Sequence, residues 1–102
     1  MGEHIEKLTA RGWQVYPINS CLAFALSDKK IIMVTPLALY LVTNSQLNSQ
    51  AGHARIRRGI LSKEYTSLAD ILTDMRLAPG VGVGYRMVYG WELQKIYKGE
   101  IK

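Results

Sequence analysis

Few side chains in this sequence have the type and spacing to do chemistry. The only histidines, His4 and His53, lie far apart, and neither has a cysteine or carboxylate at metal-ligand spacing. No metal and no cofactor is therefore expected. The single cysteine, Cys21, opens the apolar run Cys21-Leu22-Ala23-Phe24-Ala25-Leu26. It is expected to be a small buried hydrophobe rather than a thiolate, which would want a nearby base and a polar setting. Asp70 and Asp74 stand one turn apart on a helical pattern, but on its polar flank, where a solvated face is the expectation. No Gly-x-Ser-x-Gly elbow is present. The glycines of Gly80-Val81-Gly82-Val83-Gly84 follow a helical segment and enter a strand-like one. A dinucleotide loop has the reverse order, so they read as a turn and the small face of a strand. With no catalytic constellation to assemble, the chain is expected to be non-catalytic.

Binding chemistry is better represented. Arg55, Arg57, Arg58 and Lys63 fall in a stretch without acids, and Arg86 follows further on. Guanidinium and ammonium groups so concentrated suit phosphates or an acidic protein surface. Residues 1–50 carry four Lys/Arg and three acids, residues 51–102 nine and five, so nearly all of the net charge of +5 lies in the second half. Tyr85, Tyr89 and Trp91 alternate along one segment and could stack bases or form a protein interface if exposed. If covered, they are core.

The elements that must position these residues follow from periodicity and punctuation. Glu3 to Arg11 reads as a short helix ended by Gly12 in a left-handed conformation. Trp13 to Ile18 reads as a strand, at an edge because Pro17 lacks a ladder donor. Cys21 to Ser27 and Ile31 to Thr35 form a hairpin across Asp28-Lys29-Lys30. Both runs are apolar on both faces, which puts them in mid-sheet beneath cover on both sides, or in a subunit interface. Leu37 to Thr43 is strand or helical turn, and Asn44 to Gly52 a polar loop. Ser67 to Ala78 is a helix with Ser67 and Asp70 as a capping box. Val81 to Leu93 alternates with period two and reads as one long strand, bending at Gly90, with a basic, frayed tail from Lys95 to Lys102.

The expected fold is α+β, a single domain over residues 1–102. A mainly antiparallel sheet of four to five strands carries two helices on one face, in the order α-β-β-β-(β)-α-β. At 102 residues and 48% apolar composition, the chain can bury a core without disulfides or metals. The unpaired cysteine fits a reducing compartment, and the first residues lack the apolar core of a signal peptide, so a cytoplasmic location is expected. The longest apolar run, Ile31 to Val42, is too short to span a membrane.

A helix, three strands, a helix and a strand is also the element order of the PD-(D/E)xK nuclease core, which the chain resembles in that respect. In that family an acid opens the second strand and a Glu-x-Lys lies on the third. Here Cys21-Leu22 and Met33-Val34-Thr35 hold those places. The resemblance thus implies a degenerate, non-catalytic version. Two functions stay open from the residues themselves. One is a small basic nucleic-acid-associated accessory or regulatory protein of a phage, plasmid or prokaryotic system. The other is a protein-protein interaction module or inhibitor acting as a homo-oligomer, such as a homodimer, with surplus apolar surface as its interface.

Overall fold

The structure, a computed structural model, describes residues 1–44, 50–73 and 83–101. In chain order the elements are α1 (Gly2–Ala10), β1 (Gln14–Asn19), β2 (Leu22–Leu26), β3 (Ile31–Val34), β4 (Leu39–Asn44), α2 (Gln50–Leu61), α3 (Leu68–Leu72), β5 (Val83–Met87) and α4 (Gly90–Lys98). The five strands form one antiparallel meander in the order β1-β2-β3-β4-β5, so the class is α+β with β1 and β5 at the edges. Pro17 sits in edge strand β1, where the register slips between Pro17 and Asn19. Four consecutive strands follow α1, where the nuclease order has three.

Alternation splits the two central strands between two cores. Phe24, Leu26, Ile31 and Met33 point to one face and meet Ile56 and Ile60 of α2, Tyr65, and Ile71 of α3. Ala23, Ala25, Ile32 and Val34 point to the other and meet Leu8 of α1, Trp13 and Ile96 of α4. Every residue of β2 and β3 is buried, as doubly apolar strands require. Helices therefore cover both faces, not one. The additional cover comes from two segments that read differently in sequence. Residues 50–52, assigned to a loop, begin α2. The expected long strand ends at Met87, and the chain turns into α4 at Gly90, taking in Lys95 to Lys98 of the expected frayed tail.

The helix ends are closed by local chemistry. Gly12 takes φ 89°, and Gly12 N–H and Trp13 N–H bond the Thr9 and Leu8 carbonyls at 3.0 and 3.1 Å. Gly99, φ 79°, closes α4 in the same way, with bonds to Ile96 and Lys95. At the end of α2 the left-handed position falls to Lys63, φ 61°, an uncommon place for a side chain. The Ser67–Asp70 capping box is formed, and α3 ends at Leu72 with Thr73 as its C-cap; Asp74 and the rest of the expected helix lie outside the described residues. Gly80 and Gly82 also lie outside them. Cys21 is exposed, not buried. The strand starts one residue later, and Cys21 belongs to the β1–β2 turn, its N–H donating to Asn19 Oδ1 at 2.7 Å.

Candidate functional site: the edge of the sheet at β5 and α4

The basic cluster is not one surface. Arg55, Arg57 and Arg58 lie on α2, and successive helical residues turn by roughly 100°. Ile56 and Ile60 face the core, so Arg58 points away from it, while Arg55 and Arg57 lie on opposite flanks. Both flanking arginines are engaged within the fold. Arg55 pairs with Glu64, and its guanidinium lies 5.9 Å from the centre of the Tyr65 ring. Arg57 donates to the Ser27 and Lys30 carbonyls, clasping the β2–β3 turn to α2. Arg58 and Lys63 are exposed. A recess of ≈170 Å³ beside Arg57, lined by Gly12, Gln14 and Ser27 among others, is smaller than ligand pockets of roughly 300 Å³ or more.

Arg86 lies apart from that cluster, on β5. Pairing of Arg86 with Leu41 and of Tyr85 with Val42 fixes their faces: Arg86 looks toward α4, Tyr85 toward α2 and α3. Glu92, in the first turn of α4, accepts two bonds from Arg86 at 2.7 and 2.9 Å and one from the Tyr89 N–H at 3.0 Å. Those donors hold the Glu92 carboxyl at about 2, the Arg86 hydrogen bonds contributing most, against the opposing effect of burial.

Around this ion pair lies a ladder of cations and rings. The Arg86 guanidinium sits 4.3 Å from the Tyr89 ring centre. Tyr89 stacks on Trp91 at 6.2 Å, and Lys95 Nζ lies 5.6 Å from the Trp91 ring. On the opposite side of the strand Tyr85 meets Tyr40 edge-on at 5.7 Å. The three aromatics thus do not share a strand face, as a single long strand would have required. Tyr85 flanks the edge from one side, Tyr89 and Trp91 from the other.

All three are open to solvent, together with Met87. Tyr85, Met87, Tyr89 and Trp91 are 49, 58, 53 and 60% exposed. Leu37, in the β3–β4 turn, is fully out at the same end of the sheet, where the Val88 N–H donates to the Leu39 carbonyl. Sequence alternation put Met87 on the same face as the aromatics, but the candidate site residues left out Met87, Leu37, Glu92 and Lys95. The signal for Glu92 was available: it stands three residues after Tyr89, the spacing of a carboxylate that reaches back to the backbone N–H at a helix start.

Among the described residues no three His, Cys, Asp or Glu side chains gather where a metal could bind, and no helix is long and apolar enough to cross a membrane. Compared with protein-family models, curated proteins and solved structures, the chain matches none.

Proposed function

We propose that the protein is a non-catalytic interaction module that works as a homo-oligomer through the β5–α4 edge. The observation that carries this reading is the cluster of four large apolar side chains, each about half exposed or more, bracketing one strand. Isolated exposed apolar residues are ordinary, whereas a contiguous patch marks an interaction site. Tyr, Trp, Met and Arg are also the residues enriched in interface cores. A cytoplasmic setting goes with the single unpaired cysteine.

One observation keeps a second proposal in play, the nucleic-acid-associated accessory role. The Tyr89–Trp91 stack flanked by Arg86 and Lys95 has the parts of a base-stacking platform, and Arg58 and Lys63 are exposed cations on another face. Against it, Arg55, Arg57 and Arg86 already bond within the chain.

Size-exclusion chromatography with light scattering, at low and high salt and with and without a mixed DNA and RNA pool, separates the two. The interaction reading expects an assembly larger than the 11.5 kDa chain that survives high salt and is lost in Tyr89→Ser/Trp91→Ser. A monomer that co-elutes with nucleic acid only at low salt, and loses it in Arg58→Ala/Lys63→Ala, would overturn it in favour of the second proposal.

A further inference from the structure

Resting on the interaction reading above, we infer that the partner is a second copy of this chain, joined edge to edge by antiparallel pairing of β5 about a two-fold axis at Tyr85. The inference starts from hydrogen-bond parity. Val88 N–H bonds the Leu39 carbonyl, so Val88, and with it Arg86 and Gly84, turn their backbone groups toward β4. Val83, Tyr85 and Met87 turn theirs to the open edge. Among the described residues the one bond to these outward groups is a 3.3 Å contact from Arg86 Nη1 to the Met87 carbonyl, which keeps a second lone pair.

A two-fold at Tyr85 satisfies this edge with its own copy. Tyr85 pairs with Tyr85 of the second copy, and Met87 with Val83 of the second copy, so every outward N–H and C=O meets its complement. A slip of one residue would set outward groups against inward ones. Charge placement fits as well. Arg86 is the one charged residue of β5, and it falls opposite Gly84 of the second copy, diagonal to its own counterpart. Glu92 of the same chain neutralises it. Two copies can therefore approach without bare like charges at the seam, although each chain carries +5 overall.

The area is in keeping with a weak, reversible pair. Large apolar side chains offer roughly 150–250 Å² each, so four that are half exposed present roughly 500 Å² per copy. Two copies then bury about 1,000 Å², the lower bound of a specific interface, so association in the micromolar range is expected.

Two measurements test the axis. Amide exchange is followed by NMR as protein concentration rises through the assembly range. Exchange at Tyr85 and Met87 is expected to slow at least tenfold, while Arg86 is protected throughout by β4. In a Cys21→Ser background, Tyr85→Cys is expected to cross-link to itself under mild oxidation. Met87→Cys alone should link at least tenfold more slowly, and an equal mixture of Val83→Cys and Met87→Cys should link readily. If an assembly forms but Tyr85 and Met87 exchange at unchanged rates, and Tyr85→Cys links no faster than Met87→Cys, the two-fold is overturned while the interaction reading stands. If no assembly forms at any concentration or salt, both fall.

Discussion

Arg86 and Glu92 close a two-bond fork, 2.7 and 2.9 Å, across the turn that carries the chain from β5 into α4. The pair does two tasks at once. It fixes the helix start against the strand, and it neutralises the cation at the sheet edge. Glu92 is 7% exposed, so removing Arg86 would leave a carboxylate with little water. Arg86→Ala is expected to destabilise the fold by about 2–3 kcal/mol, with Arg86→Lys recovering only part of that because an ammonium cannot make the fork. Denaturant unfolding of the variants checks both.

Acid should loosen the same corner. The folded carboxyl of Glu92 titrates at about 2, below its ordinary 4.5. A lowered folded value means that the ionised form stabilises the fold. That contribution is present above about pH 4.5 and is lost as pH falls toward 2. Arg86 is about a third exposed, so the screened contribution is on the order of 2 kcal/mol. In Glu92→Gln the slope of stability against pH over this window should flatten.

Gly59 is fixed by the ring beneath it. A Cβ at this position would overlap the buried Tyr65 ring. Gly59→Ala, which would normally favour a helix by up to about 1 kcal/mol, is here expected to destabilise by about 1–3 kcal/mol. Tyr65→Leu should reduce that penalty, and a double-mutant cycle of melting temperatures measures the coupling.

The arginines of α2 should separate by role. Arg57→Ala removes the clasp on the Ser27 and Lys30 carbonyls and is expected to cost about 1–2 kcal/mol. Arg58→Ala should fall within about 0.5 kcal/mol of wild type. Lys63→Gly should stabilise by about 0.5–1 kcal/mol, since φ 61° suits glycine. Equal losses at Arg57 and Arg58 would contradict this division.

The sequence by itself determined the features whose cause lies in the local pattern of residue types. Doubly apolar Leu22–Leu26 and Ile31–Val34 had to be covered on both faces, because an exposed face would have left Phe24 or Ile32 in water. Gly12 had to end α1, and Ser67 with Asp70 had to start α3, because spacings of three to five residues set those bonds. Tertiary structure decided the rest. Tyr89, Trp91 and Leu93 fit a period of two as well as the start of a helix, and the choice went to α4 because Ile96 reaches the core beneath α1 and Glu92 meets Arg86. The basic run looked like one patch because a one-dimensional list cannot show a helix fanning three side chains apart, nor carbonyls thirty residues away taking one of them. Exposure of the aromatics was likewise undecidable along the chain: it depends on which strand ends at the edge of the sheet, and only the order β1-β2-β3-β4-β5 puts Tyr85 there.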